Sequence, residues 1–201
     1  NSAIGYRSLY ENTSGDYNSA IGSYSARENT TGDKNVAVGN SSLRDNTTGN
    51  KNTAVGQGSG FSIVGGNDNT TVGQLAGNVI TTGSNNVIIG SESDPSADNA
   101  TNQIVIGYGA SGQADNSVTL GNADVTAVYM AQDKGATVYA AALGFGSTAM
   151  TLPTDDGDAN QVLKTDGSGA LSWTTASGAS AINDLSDALI EDNSMYIGQD
   201  P

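Results

Sequence analysis

Neither cysteine nor histidine occurs among the 201 residues. That absence removes disulfides, Cys-based zinc sites, thiol catalysis and the common nucleophile-base pairs, and it leaves the redox compartment open. Positive charge is also scarce: 7 Lys and Arg stand against 21 Asp and Glu, for a net charge of −14. Phosphate backbones are bound by clustered Lys and Arg, so nucleic acid is not an expected partner. Aromatics make up 5% and hydrophobic residues 36% of the chain, which would leave a single conventional core thin. No apolar run approaches the ~20 residues of a membrane-spanning helix, and no charged-then-apolar leader opens the sequence. No membrane insertion is expected in this segment.

Glycine, by contrast, is abundant, with 27 residues. Such a polar, glycine-rich chain is normally disordered unless a repeat lets short units bury their apolar side chains against one another. A repeat is present. Gly5, Gly22, Gly39, Gly56, Gly73, Gly90 and Gly107 follow one another at steps of 17 residues, and Gly121 comes after a further 14. Asn precedes the first six by four residues, as Asn1, Asn18, Asn35, Asn52, Asn69 and Asn86. Asn1 is already in phase, so the sequence reads as an excerpt of a longer protein whose secretion or attachment segments lie elsewhere.

Directly before the glycines runs a column of branched aliphatics: Ile4, Ile21, Val38, Val55, Val72, Ile89, Ile106 and Leu120. One residue earlier stand Ala3, Ala20, Ala37 and Ala54, then Thr71, Ile88, Val105 and Thr119. Branched residues favour extended backbone, and successive strand residues face opposite ways. Each unit therefore carries a short strand with a bulky side and a side that permits close approach. A second turn signal at Gly15, Gly32, Gly49, Gly66 and Gly83 divides the unit into strand, turn, a second short strand around Leu9, Ala26 or Leu43, and turn. That is one coil of a solenoid, and coils about 4.8 Å apart align equivalent residues in ladders. So narrow a coil has little interior. The small-residue face, which becomes Ile88 and Val105 in later units, is expected to be covered by neighbouring rolls.

The pentads Asn-Ser-Ala-Ile-Gly at 1 to 5 and 18 to 22, Asn-Val-Ala-Val-Gly at 35 to 39, and Asn-Thr-Ala-Val-Gly at 52 to 56 resemble the head repeats of trimeric autotransporter adhesins. Asn-Ser-Val-Thr-Leu-Gly at 116 to 121, with its 14-residue step, is similar to them too. The 17-residue form with Asn-Thr-Thr-Gly, and the segment from Asp156 to Trp173, look more like bacteriophage tail fibres and related bacterial fibres. The resemblance implies a left-handed parallel β-roll, three rolls around a threefold axis, and a head that attaches to host surfaces. The expected fold is thus all-β: a parallel β-roll or solenoid of 17-residue and then 14-residue coils, assembled as a homotrimer and followed by a small β-rich module. Neither neck, stalk nor membrane anchor is visible in the sequence.

Three segments follow: the repeat domain at 1–131, a β-rich connector at 132–180, and a short helix or linker with a restart of the repeat at 181–201. In the connector, short apolar stretches occur at Thr137 to Leu143, Ala149 to Leu152, Gln161 to Lys164 and Ala170 to Trp173. From Ala181 to Ile190, Ile182, Leu185 and Leu189 fall on one helical face. Ile197 and Gly198 then repeat the ladder motif.

No catalytic, cofactor or metal set emerges. Asp155, Asp156, Asp158 and Asn160 offer oxygen ligands but lack the spacing of a calcium loop. Gly56 to Gly60 and Gly107 to Gly112 lack the Lys and the following helix of a phosphate loop and read as turns. Repeat phase explains the Asn-x-Ser/Thr triplets at Asn12, Asn29, Asn46 and Asn69, and the threonine register of Thr30, Thr47 and Thr81 is broken at Val64. Tyr6, Arg7, Tyr10, Tyr24 and Arg27 crowd the first two units and are the candidate receptor contact, with ordinary coil surface as the other reading. The expected role is a non-enzymatic, adhesive trimeric fibre segment for host or surface attachment. It would be extracellular, on a virion tail or a bacterial cell surface, with a receptor that could be a glycan. A polysaccharide-degrading tailspike, which would need two carboxylates in a groove, and a passive spacer are the alternatives.

Overall fold

The computed structural model describes residues 1–131, 142–145, 148–175, 188–191 and 194–197. The chain divides into two units, Asn1–Tyr129 and Met130–Pro201. The first is a parallel β-solenoid. Each coil gives one short strand: β1 (Ser2–Ile4), β2 (Ser19–Ile21), β3 (Val36–Val38), β4 (Thr53–Val55), β5 (Thr70–Val72), β6 (Val87–Ile89), β7 (Gln103–Ile106) and β8 (Ser117–Leu120). They form a single eight-stranded sheet in sequence order. Register follows the period, with Ala3 opposite Ala20 and Ala20 opposite Ala37, and Ile106 opposite Leu120 where the last coil shortens.

The interior is reversed from the sequence expectation. Ala20, Ala37, Ala54, Thr71, Ile88 and Val105 are buried inside their own coil. The branched column faces outward instead, with Ile4 at 65% and Ile21 at 46% exposure. Alternation along a strand defines two faces without saying which one points inward. The small column points inward because the coil is too narrow for a row of branched residues from every side.

Volume inside the coil is traded between positions. Leu43, at the turn, is buried in the same core cluster as Ala37 and Ala54. Where the sheet column grows to Thr71 and Ile88, the turn position shrinks to Gly60 and Gly77, while Ile63 and Ile80 enter the core. A Cβ on Gly77 would lie 2.6 Å from Thr71 Cγ2 and 3.1 Å from Ile80 Cδ1. The φ of Gly77 is 63°, yet Ala26 and Leu43 occupy the same turn position at 46° and 47°, so space and not backbone conformation demands glycine there. Interiors are close-packed, so these substitutions compensate one another.

The second short strand does not form. Arg7, Leu9, Tyr24, Ala26, Ser41 and Leu43 all have positive φ between 46° and 58°, which turns the segment instead of extending it. Its amides still reach the next coil, as in Leu9 N–H to Ser25 O at 3.1 Å and Ala26 N–H to Ser42 O at 2.9 Å. The strand glycines are needed for a different reason. Gly56 has φ 135°, and a Cβ there would collide with the Gly73 carbonyl of the adjacent coil.

Buried asparagines tie the coils together. Asn52 Oδ1 accepts the Asn69 backbone N–H at 3.0 Å, and its Nδ2 donates to Gly66 O at 2.7 Å. Asn18, Asn35, Asn69 and Asn86 repeat both bonds, and all are almost fully buried. A second stack runs beside it: Asn29 Nδ2 donates to Asn12 Oδ1 and Asn46 Nδ2 to Asn29 Oδ1, both at 2.7 Å. The next position in that stack is Ile63, so Asn46 Oδ1 ends without a partner. Gln103 takes the Asn position at the shortened coil. Its longer amide reaches Ser96 Oγ at 2.6 Å and Asp115 Oδ1 at 3.1 Å.

Beyond Met130 the described strands form three antiparallel pairs. These are β9 (Ala142–Phe145) with β10 (Thr148–Thr151), β11 (Gln161–Thr165) with β12 (Leu171–Thr175), and β13 (Ala188–Glu191) with β14 (Ser194–Ile197). Residues 188–190 of the expected helix are therefore strand, and 181–187 lie outside the described residues. The motif restart at Ser194–Ile197 is extended, but it pairs antiparallel in a hairpin, with Ile197 opposite Ala188.

Asn52→Ala leaves a backbone N–H and a carbonyl unpartnered inside the coil, and is expected to cost about 2–5 kcal/mol by chemical denaturation; a loss below about 0.5 kcal/mol would contradict a structural role for the ladder. Gly77→Ala is expected to destabilise by about 1–3 kcal/mol through overpacking. Adding Thr71→Ala recovers part of that loss in a double-mutant cycle, whereas strict additivity would mean that the two sites do not share space.

Candidate functional site

Two surfaces stand out on the solenoid. The first is the sheet face, where the outward column from Ile4 to Leu120 runs the whole length without a polar residue. Beside it, two residues earlier in the strands, stand Val36, Val87, Ile104 and Val118 on the same face, with Ser2, Ser19, Thr53 and Thr70 at the equivalent place in the other four. Exposure remains at 38% for Val55, 37% for Ile89, 39% for Ile106 and 43% for Leu120. Contiguous apolar faces of this kind mark interaction sites on proteins that otherwise keep polar surfaces.

The second surface lies on the turns of the first three coils. Stacking at 17 residues places Tyr10, Arg27, Arg44 and Phe61 in one column and Arg7, Tyr24 and Ser41 in another. Arg7 lies 5.3 Å from the ring centres of both Tyr6 and Tyr10. Tyr6 meets Tyr24 edge to face at 5.4 Å, and the Arg27 guanidinium is 5.9 Å from the Tyr24 ring. All five residues singled out in the sequence thus come together. Sequence reasoning missed Arg44, which stacks on Phe61 at 3.7 Å and closes the far side of a cleft of about 330 Å³. Extending the column by one more period from Arg27 would have found it.

Carboxylates fix two of these arginines. Arg27 pairs with Glu28, and Arg44 holds Asp45 through two bonds, Nε to Oδ1 at 2.6 Å and a terminal nitrogen to Oδ2 at 3.0 Å. Among the described residues Arg7 has no ion pair. Comparison with protein-family models, with curated proteins and with solved structures gave no match. The chemistry of this cleft therefore has to be read from its own residues.

A further cleft of about 490 Å³ lies in the second unit, between the loop Pro153 to Asp158 and strand β12. Trp173 Nε1 donates to Asp155 O at 3.0 Å, and Gly157 sits against the indole ring. Asp155, Asp156 and Asp158 line it and are exposed, whereas the general acid of a glycoside hydrolase works in a desolvated pocket. Among the described residues no group of three or more acidic side chains is arranged to hold a metal ion.

The remaining motifs serve the coil. Asn29, Asn46 and Asn69 are buried, with their amide nitrogens donating to Gly32, Gly49 and Gly83 carbonyls, and Asn12 donates in the same way to Gly15. Thr13, Thr30 and Thr47 spend their hydroxyl protons on the next coil's carbonyls at 2.9 to 3.1 Å.

Two carboxylates at the narrowing end of the solenoid titrate abnormally. The Thr101 N–H, with help from the Gln103 amide, holds Asp115 below the ordinary carboxylate value. Burial pushes Asp94 above it, against the opposing N–H groups of Val79 and Asn78. Ionised Asp115 therefore contributes stability above the ordinary carboxylate value of 3.8, and loses it as pH falls through its lowered native value. For Asp94 the sign reverses: the cost appears as pH rises and the half-buried group ionises. Asp115→Asn is expected to be less stable than the parent at neutral pH, with the gap narrowing in acid, and Asp94→Asn to be more stable at neutral pH, with its gain also vanishing in acid. Denaturation curves across pH check both; a gap that does not change with pH would contradict the assigned titrations.

Proposed function

We propose that this chain is a structural and adhesive segment of a homotrimeric extracellular fibre, carried on a virion tail or a bacterial cell surface, with no catalytic role. The observation that carries this reading is the outward aliphatic ladder. Left in water along eight strands, it is an unpaid cost that lateral association removes. Parallel coils in constant register present it as one continuous stripe, which copies of the same chain can match rung for rung. The number three rests on the resemblance of the pentads to trimeric adhesin heads and phage fibres.

Three chains around one axis would make a stiff rod and bring three copies of each surface turn to the outside. Multivalent presentation converts weak contacts with a surface receptor into durable attachment. The hairpins beyond Met130 belong, in this reading, to a β-rich connector within the same fibre. Among the described residues no helix is long and apolar enough to cross a membrane.

Light scattering on the purified segment is expected to give about three times 20.2 kDa with a β-rich circular dichroism signal. Val55→Asp with Ile89→Asp is expected to shift the mass towards the monomer, because charges cannot be buried unpaired on the axis. A parent chain that is a folded monomer at working concentration would refute the trimeric fibre.

A further inference from the structure

All three arginines of the sequence, Arg7, Arg27 and Arg44, line one cleft with Tyr24, Asn40 and Ser41. In a chain with only seven basic residues the repeat gathers every guanidinium group at one place, from three successive coils. Arg27 and Arg44 are oriented by Glu28 and Asp45, which neutralise much of their charge but leave guanidinium N–H groups unused. Among the described residues Arg7 faces no carboxylate and rests against the Tyr6 and Tyr10 rings. Asn40 and Ser41 are joined by a 3.2 Å bond and add amide and hydroxyl groups to the wall. Tyr6 and Tyr10 are 61% and 62% exposed, flat apolar faces beside the cationic centre.

We propose that this cleft is a binding site for an anionic saccharide, a sugar residue bearing a carboxylate or a sulfate. A guanidinium fork matches both oxyanions bidentately, amide and hydroxyl groups suit sugar hydroxyls, and exposed tyrosine faces suit the apolar face of a pyranose. The Arg7 guanidinium, together with the N–H groups of Arg27 and Arg44 left over from their ion pairs, suits a sugar bearing a charged group better than a neutral one. This deepens the adhesive reading by naming the ligand class of the same surface. The site is nevertheless complete within one chain and does not depend on trimerisation. Carboxylates farther than roughly 8 Å from the cleft are screened at physiological salt, which leaves Glu28 and Asp45 as the acids that matter there.

The test is isothermal titration of the intact chain with dextran sulfate, polygalacturonate and uncharged dextran. Binding to dextran sulfate assigns a sulfate ligand, and binding to polygalacturonate a carboxylate. Either is expected without binding to dextran, to weaken as salt rises, and to fall at least ~10-fold in Arg7→Gln/Arg44→Gln, a loss of about 1.4 kcal/mol. Lys51→Gln, outside the cleft, should leave affinity unchanged, and circular dichroism verifies that each variant stays folded. No binding to either polyanion, equal binding to dextran, equal affinity in the double variant, or an equal loss in Lys51→Gln would overturn the site. If cell-surface attachment persists in Arg7→Gln/Arg44→Gln, the site is overturned while the adhesive fibre stands. If the parent is monomeric but binds the polyanion, the fibre reading falls and the site remains.

Discussion

A coil of 17 residues has too little interior for water, so every backbone group turned inward needs a partner from the protein itself. The strands are only three or four residues long and cannot supply them all. Asparagine does, because one short side chain carries both an acceptor and a donor. Asn18, Asn35, Asn52, Asn69 and Asn86 each accept the backbone N–H of the next rung and donate to a carbonyl fourteen residues on. Aspartate would lack the donor and alanine would lack both. This satisfaction of polar backbone fixes the spacing of the pentads, and the glycine that ends each pentad follows from it, since coils at that spacing leave no room for a Cβ beside Gly22, Gly39 or Gly56.

With the backbone settled, the apolar interior has only to fill a constant cross-section. It does so by exchange between Leu and Gly at the turn, Ala and Ile in the strand, and Asn and Ile at the second ladder. The outward positions are then free of packing demands. Along the sheet the column before the glycines stays aliphatic through all eight strands, which no requirement of a lone coil explains, and on the turns of the first three coils the outward positions become arginine and tyrosine. The scaffold thus separates what holds it together from what it shows to partners.

The period, the strand positions and the parallel order were legible because glycine and asparagine recur at the positions where the stacked backbone admits little else. Which face of the strand points inward was not. Alanine suits a tight interior and a tight interface equally, and only the closure of the coil around Leu43 and Ile63 decides between them. The second strand was misread because Leu9, Ala26 and Leu43 favour extended or helical backbone on their own and adopt positive φ only under the pull of bonds to the neighbouring coil. The helix expected near 181–190 rested on a spacing of three apolar residues, too short a pattern to outweigh the pairing of Ala188–Glu191 with Ser194–Ile197. The arginine-tyrosine cluster was legible as composition crowded into two units, but Arg44 became part of it only once the stacking of coils was known.

The most direct measurement is native-state hydrogen exchange, resolved by residue, on the folded chain. If the asparagine ladder carries the coil, the backbone amides of Asn35, Asn52, Asn69, Asn86 and Gln103, which donate to ladder side chains, exchange among the slowest in the protein and at similar rates. Exchange of these amides as fast as that of exposed surface turns would show that the interior is open to water, and would contradict the ladder as the constraint on which the fold depends.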